Sequence, residues 1–346
     1  MDYQTNTPKV SVVIPVYGVE KYLERCARSL FEQTLDDIEY IFVNDCTPDS
    51  SMEVLAKVLE DYSSRKNQVK IINMPQNSGQ GAVRRIGMMA AKGDFIIHCD
   101  SDDWVEPEMY EEMYLTAVSG NADIVCCDFQ FEGKGNRIYY RFPDRESPSA
   151  YINLLDNGSG QGIWWSLWSR MYKTSLIQSN FIYPIPGMNM WEDMYVSVRA
   201  YYYANRIINI HKPYYHYDAS REGSIVHKRF EDGIIAQQIL CVKYLEDFFH
   251  KVQFDASKFL CNRKFSIKDK FLWKTPVDYN GFIHTFPETT IIPNTVDCSN
   301  MYRWCWKFMA ENNMGNLDTI PFKIYLCANR MKNGFVKIIR KCLGML

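Results

Sequence analysis

Five short runs of apolar, largely β-branched residues alternate with amphipathic segments over the first 130 residues. The runs occupy residues 10–15, 38–43, 69–73, 95–99 and 124–129. Between them, apolar positions recur at steps of three and four residues, which is the spacing of one helix face. Runs that are apolar throughout are typical of parallel strands buried on both faces. The alternation therefore predicts an α/β fold with a doubly wound, mostly parallel sheet.

The pattern changes twice further along the chain. Residues 130–225 show weaker periodicity and are rich in Trp and Tyr, and from about residue 226 the pattern is mostly helical. We therefore expect an α/β domain over residues 1–225 and a mainly helical region over 226–346. Two domains, or one domain with an appendage, suit a chain of 346 residues.

The C-terminal segment, residues 322–346, contains basic residues and no acidic ones, and its apolar residues recur at helical spacing. This pattern predicts a basic amphipathic helix. Such a helix can lie in an anionic membrane surface, with about 1 kcal/mol contributed by each cation near it. It can also pack its apolar face on the protein and leave its charges in water. The sequence leaves both alternatives open.

In doubly wound sheets, ligands bind outside the carboxyl ends of the strands. The segments that follow the first four runs are therefore candidates for a binding site, and each contains polar or turn-forming residues. They are residues 15–18, 44–49, 75–81 and 100–104.

Asp100, Ser101 and Asp102 follow the fourth run directly. Two carboxylates two positions apart in a turn can converge on one hard cation, such as Mg²⁺ or Mn²⁺, which prefers oxygen ligands. A cation held there would neutralise a departing diphosphate. The alternative is that these aspartates form Asx turns or cap the next helix, and we expect Asp103 to do so.

Asp45 and the segment 77–87 could each either bind a ligand or serve only the local structure. Asp45 could accept a hydrogen bond from a base N–H, or it could serve only the turn after the second run. In residues 77–87, glycines precede a helix that carries Arg84 and Arg85, and such a helix start can approach phosphate. The GK[ST] of a Walker loop is missing, so this segment alone favours a loop with a solvated basic face.

Composition narrows the class of protein. The chain is 47% hydrophobic and 23% charged, as in globular proteins, and its net charge of -2 gives no field that would attract nucleic acid. The 11 cysteines include no CxxC, which predicts reduced thiols in a reducing compartment. The polar start and the absence of an 18-residue apolar run predict neither a signal peptide nor a membrane span. We expect a cytoplasmic location, with peripheral contact at the inner face of the membrane through residues 322–346.

Taken together, five stretches in chain order resemble the family 2 glycosyltransferases, which have the GT-A fold. The stretches are VSVVIPVYGVEKYL at 10–23, YIFVNDCTPDSS at 40–51, NSGQGAVRRIGMMAAKGDFIIHCDSDDW at 77–104, MWEDMYVSVRA at 190–200 and YYHYDASREGSI at 214–225. The third resembles the family stretch that ends in D-x-D-D, and the fourth resembles its E-D motif. The resemblance covers about residues 8–228 and does not extend to the remaining third of the chain.

The resemblance implies roles at the donor site. Pro15 and Tyr17 stand where the family frames the nucleotide base, and Asp45 stands where an Asp pairs with the base. Arg84 stands where an Arg lies near the base and the phosphates. Asp100, Ser101 and Asp102 form the DxD, in which Asp102 is expected to bind Mn²⁺ or Mg²⁺ directly, with Asp100 as the second metal ligand.

The resemblance also implies roles at the acceptor site. Asp193 stands at the position of the family's catalytic base, and Glu192 is expected to support it or to touch the acceptor. Trp191 replaces a commonly smaller residue and is expected to narrow the acceptor site. Of the other departures from the family pattern, His98 is expected to be a packed histidine rather than a ligand.

The implied reaction is an inverting transfer of a sugar from a nucleotide-diphosphate donor to a hydroxyl. A UDP-sugar is the expected donor, and a saccharide or lipid-linked hydroxyl is the expected acceptor, as in bacterial surface-polysaccharide assembly. A sugar nucleotidyltransferase would need a Gly-rich, basic loop after the first strand, which PVYGVEKYLE is not. Retention of both the DxD and Asp193 argues against a non-catalytic nucleotide-sugar-binding protein. Residues 300–304 resemble the QxxRW of processive synthases only faintly, since the Gln is missing.

Overall fold

The computed structural model describes residues 7–133, 136–152, 165–220, 231–274 and 278–290, together with Arg303 and Trp306. The chain divides into two compact units. The first contains Met1–Leu154 and Gln161–Lys228, and the second contains Leu155–Gly160 and Arg229–Leu346. The domain boundary after residue 225 stays a prediction, because compactness alone does not show which part folds independently.

The first unit carries the strands and six of the described helices. The strands are β1 Val10–Val16, β2 Ile38–Asn44, β3 Val69–Asn73, β4 Phe95–His98, β5 Trp104–Val105, β6 Ile124–Glu132, β7 Arg137–Tyr140, β8 Arg170–Lys173 and β9 Ile207–Asp218. The helices are α1 Leu23–Phe31, α2 Ser51–Asp61, α3 Gln80–Ala90, α4 Met109–Ser119, α5 Thr174–Ser179 and α6 Glu192–Tyr203.

The described strands form one sheet in the order β3-β2-β1-β4-β8-β6-β9-β5, with β7 paired to β6. The pairs β3–β2, β2–β1, β1–β4 and β6–β9 are parallel. Strand β8 runs antiparallel to both of its neighbours, β4 and β6, and β5 runs antiparallel to β9. The predicted class, α/β with a mostly parallel sheet, is confirmed, while the antiparallel strands β5, β7 and β8 were not predicted.

The sheet is buried on both faces near its centre, which explains why β1 and β2 are mostly apolar. Their buried polar side chains, Ser11 and Glu39, are hydrogen-bonded to each other at 2.7 Å. On one face, Val12 and Ile14 belong to a core that also contains Leu23 and Leu30 of α1. On the other face α3 lies close to β1, since a Cβ at Gly87 would come within 2.3 Å of the Cγ1 of Val13. This close approach brings the first turns of α3 to the carboxyl ends of the strands.

The second unit is helical over its described residues, as predicted. It contains α7 Asp232–Lys251, α8 Ser257–Trp273 and α9 Tyr279–His284. Trp306 packs against Phe265 and Phe282, with both pairs of ring centroids 4.7 Å apart. Among the described residues, no helix has both the length and the apolar character needed to cross a membrane. Residues 322–346 and the predicted amphipathic helix lie outside the described residues.

Candidate active site

A turn of four residues, 100–103, connects β4 to β5 and is called the acidic turn below. Asp100 and Asp102 are partly exposed, whereas Ser101 and Asp103 are buried. The carboxylates of Asp100 and Asp102 are therefore the ones accessible at the carboxyl end of β4, where the sequence predicted a ligand site.

Asp103 was expected to form an Asx turn or to cap the next helix, and that expectation was wrong because its carboxylate bonds to β9 instead. Its Oδ2 accepts a hydrogen bond from the hydroxyl of Tyr215 at 2.5 Å, and its Oδ1 accepts one from the backbone N–H of Asp218 at 2.8 Å. The next helix, α4, begins six residues later at Met109. Burial and the neighbouring negative charges of Asp102 and Asp100 raise the pKa of Asp103 well above its usual value. Asp103 therefore joins the acidic turn to β9.

Arg84 lies at the centre of the candidate site. Its side chain is buried and donates from Nη2 to Asp100 Oδ1 at 2.7 Å and from Nη1 to Glu192 Oε1 at 2.6 Å. The solvated basic face that residues 77–87 suggested in isolation is therefore wrong for this residue. Because the close packing of α3 on β1 points Arg84 into the protein, its guanidinium joins the acidic turn to the start of α6.

The first turn of α6 supplies two carboxylates with different surroundings. Glu192 is buried against Arg84, and burial raises its pKa to about 7 although Arg84 opposes the shift. Asp193 is partly exposed, and desolvation raises its pKa as well, again opposed by Arg84. Asp193 Oδ1 accepts from the N–H of Met194 at 2.7 Å, and no described residue donates to its Oδ2. Asp193 is thus the more exposed carboxylate of this pair, and the one that another group can reach.

Trp191 precedes these carboxylates in a left-handed conformation, with φ 67° and ψ 16°. That conformation costs a non-glycine residue roughly 1–2 kcal/mol, and such strain is typical of functional sites. The segment before it contacts α3 directly. Asn189 Oδ1 accepts from the N–H of Gly81 at 3.0 Å, and a Cβ at position 81 would lie 2.0 Å from the carbonyl oxygen of Met188. Only glycine permits this approach, which holds the start of α6 beside Arg84.

A second polar group lies at the ends of β2 and β3. Asp45 is buried, and its carboxylate accepts from the backbone N–H groups of Ser78 at 2.7 Å and Gly79 at 2.9 Å. The N–H of Asp45 donates to the carbonyl of Val16 at 3.0 Å. These bonds join the loops that follow β1, β2 and β3. The N–H groups of Gly79 and Gly81 already have protein acceptors, which argues against the phosphate approach considered for this helix start.

The remaining predicted donor residues lie at the same edge of the sheet. Pro15 is partly buried in β1 opposite Val43, and Tyr17 is 46% exposed just beyond the strand. The base contacts predicted for Pro15, Tyr17 and Asp45 stay predictions, as does the acceptor contact predicted for Trp191.

Arg85 and His98 have structural roles. Arg85 lies over the ring of Tyr183, 5.4 Å from its centroid, and donates to the carbonyl of Pro184 at 3.3 Å. His98 is fully buried, and burial together with the positive charge of Arg84 lowers its pKa well below the usual value. A neutral, buried histidine agrees with the expected packing role.

Sequence reasoning missed three residues that contact this site: Tyr215, Asp218 and Arg25. The first two lie in the stretch 214–225 that carried part of the resemblance, but nothing in their spacing marks them as contacts of the acidic turn. Arg25 Nη2 donates to the carbonyl of Asp102 at 2.9 Å. A single arginine on an amphipathic helix carries no signal of such a contact.

The donor set of the acidic turn fits a hard cation. Asp100 and Asp102 offer carboxylate oxygens, the ligands that Mg²⁺ prefers. Within the described part of the chain, no group of three or more His, Cys, Asp and Glu side chains is placed to hold a metal ion. The protein would thus provide two ligands, and a bound diphosphate and water would provide the others, which is how proteins commonly bind Mg²⁺ with substrate phosphates.

Comparison with known proteins decides the family. The model of the family described as "Glycosyl transferase family 2" matches residues 11–190, which is more than half of the chain. The chain belongs to glycosyl transferase family 2. It is therefore a glycosyltransferase, as the resemblance implied.

Several curated glycosyltransferases are similar to the chain. The "Putative glycosyltransferase EpsH" of Bacillus subtilis is 35% identical over 239 residues, which cover 66% of this chain and 67% of that protein. The "Poly(ribitol-phosphate) beta-N-acetylglucosaminyltransferase TarS" of Staphylococcus aureus is 27% identical over 267 residues, covering 75% of this chain and 44% of that protein. The matched region spans 67% of the length of EpsH, 58% of that of the glycosyltransferase EpsJ of Bacillus subtilis and 31% of that of the glycosyltransferase GlyA of Streptococcus pneumoniae.

The fold agrees with a solved structure of the family. The crystal structure of S. aureus TarS 1-349 in complex with UDP-GlcNAc has a TM-score of 0.69 to this chain at 20% sequence identity. The match covers 94% of this chain and 92% of that one. This likeness confirms the GT-A fold, with helices in the C-terminal region.

Proposed function

We propose that this glycosyltransferase moves a sugar, with inversion, from a UDP-sugar to a hydroxyl of a saccharide or lipid-linked acceptor, with a divalent cation. The observation that carries the proposal is the pair of ion pairs made by buried Arg84. They bring the acidic turn, which would hold the diphosphate, next to the carboxylates of Glu192 and Asp193. A transferase needs this juxtaposition of a leaving-group site and a base.

UDP is proposed as the nucleotide on two grounds. Crystal structures of TarS, a similar protein, are complexes with UDP-GlcNAc and with UDP. The loops joined by Asp45 lie at the strand ends where Pro15 and Tyr17 would frame a base. In this proposal Tyr17 packs on the base, because its ring is exposed and free of the core.

In the proposed reaction, Asp193 accepts the proton of the acceptor hydroxyl while that oxygen forms a bond to the donor C1. The bond from C1 to the diphosphate oxygen breaks, and the electron pair leaves with UDP. The raised pKa of Asp193 makes it a stronger base than an ordinary aspartate. Glu192 keeps Arg84 in place beside Asp100, and Trp191 borders the acceptor.

Asp102 and Asp100 would hold Mn²⁺ or Mg²⁺. When bound, the cation stabilises the negative charge that develops on the departing diphosphate. Arg84 contributes positive charge near the same point through its bond to Asp100. Its three charged neighbours, Asp100, Glu192 and Asp193, keep it protonated and fixed in orientation.

The proposal is tested by incubating the protein with UDP-, GDP- and TDP-sugars, with and without saccharide acceptors, and measuring release of the nucleoside diphosphate. We expect UDP release that requires both an acceptor and Mn²⁺ or Mg²⁺. Release of GDP or TDP instead would overturn the proposed donor. Activity that is unchanged in EDTA would overturn the proposal that transfer requires a divalent cation.

We also propose a cytoplasmic location with peripheral membrane contact through residues 322–346, which would suit a lipid-linked acceptor. The test is sedimentation of the full chain with anionic liposomes, compared with a variant in which the segment's cations are replaced by Gln. These are Lys323, Arg330, Lys332, Lys337, Arg340 and Lys341. We expect only the unchanged chain to pellet at low salt, and equal behaviour of the two proteins would contradict the contact.

A further inference from the structure

We propose that Tyr215 and Arg25 are positioning residues that hold the acidic turn in the conformation a divalent cation requires. The inference rests on the proposed function, because it assumes that Asp100 and Asp102 bind the cation. Neither Tyr215 nor Arg25 needs to touch the cation or the substrates. Each acts through hydrogen bonds to the turn.

Tyr215 bonds to the acidic turn at two points. Its hydroxyl oxygen accepts from the backbone N–H of Asp100 at 3.2 Å and donates its proton to Asp103 Oδ2 at 2.5 Å. The other oxygen of Asp103 accepts from the N–H of Asp218 at 2.8 Å, three residues further along β9. The end of β9 thus fixes both the first and the last residue of the turn.

The ring of Tyr215 is itself held in place. It is fully buried and stacks on Trp168, with ring centroids 4.2 Å apart and planes inclined by 15°. Trp168 in turn meets the edge of Phe129 at 4.9 Å. Because the ring is fixed by packing, its hydroxyl has a defined position, and losing the hydroxyl alone would leave this packing intact.

Arg25 supports the turn from α1. Its Nη2 donates to the carbonyl of Asp102 at 2.9 Å and to Asp218 Oδ2 at 2.6 Å, so it joins α1, the turn and β9. The guanidinium lies 3.8 Å from the ring centroid of Trp104, which stacks on His216. The planar guanidinium is therefore oriented by the indole beneath it.

These contacts hold the backbone of the acidic turn at Asp100 and Asp102 and the side chain of Asp103. None of these contacts uses the carboxylate of Asp100 or of Asp102, and the carboxylate of Asp100 is held in addition by Arg84. Cation affinity depends on the outer groups that orient the ligands, and losing one such group typically costs about 10- to 100-fold in affinity.

The decisive variant is Tyr215→Phe, which removes the hydroxyl and keeps the stacked ring. We expect its affinity for Mn²⁺, measured by electron paramagnetic resonance with saturating UDP, to fall by about 10- to 100-fold. Turnover should recover as the Mn²⁺ concentration is raised. Tyr40→Phe is the matched control, since it also removes a buried tyrosine hydroxyl, bonded to the Leu30 carbonyl at 2.6 Å and remote from the turn.

Arg25→Gln provides an independent measurement should Tyr215→Phe fold poorly. The side chain of Arg25 is 43% exposed, so replacing it disturbs the packing of the protein less than a change at a buried residue does. We expect weaker Mn²⁺ binding for this variant too, with a melting temperature close to that of Tyr40→Phe. If wild type binds Mn²⁺ and both variants bind it as tightly as Tyr40→Phe, the positioning role is overturned and the proposed function stands. If wild type with UDP binds no Mn²⁺, the cation of the proposed function and this inference both fail.

Discussion

Asp102→Ala is expected to abolish Mn²⁺- or Mg²⁺-dependent sugar transfer while the fold is retained. The variant removes one of the two carboxylates available to the cation, and with it several kcal/mol of stabilisation of the departing diphosphate. At about 1.4 kcal/mol per factor of ten, the rate should fall by about 10³-fold or more. The backbone carbonyl that Arg25 binds is unchanged by alanine, so the turn keeps that contact. The measurement is the rate of UDP release across a series of Mn²⁺ concentrations.

Asp61→Ala is a suitable control for this experiment. Asp61 ends α2, and its exposed carboxylate pairs with Arg28 at 3.0 Å, away from the acidic turn. Exposed ion pairs contribute about 0–1 kcal/mol, so this variant should keep wild-type activity. Thermal unfolding followed by circular dichroism checks that both variants are folded. Asp102→Ala protein with wild-type activity would show that Asp102 does not bind an essential cation.

Much of the parallel half of the sheet could be predicted from the sequence, because burial on both faces leaves a strong local signal in β1, β2 and β4, whereas the edge strand β3 is largely exposed. The apolar runs at residues 10–15, 38–43 and 69–73 became β1, β2 and β3 with ends shifted by at most one residue. Strand β8 could not be predicted in this way. It is four residues long, and its sequence, RMYK, begins with a buried arginine, so its pattern is too short and too polar to identify.

The candidate site was predicted as a set of residues but not as an arrangement. Asp100 and Asp102 were identified by their position after a buried strand, which is a local feature. The ion pair of Arg84 with Glu192 joins residues 108 positions apart, and no local pattern predicts such a contact. The resemblance to the family placed Arg84 near the donor, and only the fold revealed that the residue links the two acidic motifs.

Gly81 is a second case in which the local sequence did not reveal what the residue contacts. In the sequence it belonged to a Gly-rich helix start, for which phosphate binding was one interpretation. In the structure its missing side chain makes room for the carbonyl of Met188, and its N–H is bonded to Asn189. A glycine needed for the close approach of two segments has the same sequence signature as a glycine needed for the approach of a ligand.

Asp193→Asn is expected to lower kcat by about 10²-fold or more, as loss of a general base does. Glu192 cannot take over easily, because its Oε1 is bonded to Arg84 and its side chain is buried. Asparagine can keep the bond from the Met194 N–H but cannot accept a proton at neutral pH. The measurement is kcat at saturating donor and acceptor, together with the affinity for UDP-sugar by calorimetry, which should change little.

The pH dependence of the wild-type rate gives this prediction a second test. A base works only when it is deprotonated, so the rate should fall as the pH is lowered through the pKa of Asp193. Because burial raises that pKa above the usual value of 3.8, the loss should begin at a higher pH than for an exposed aspartate. This acid limb should disappear in Asp193→Asn. A variant that keeps wild-type kcat, or loses donor affinity instead of turnover, would place the base on another residue.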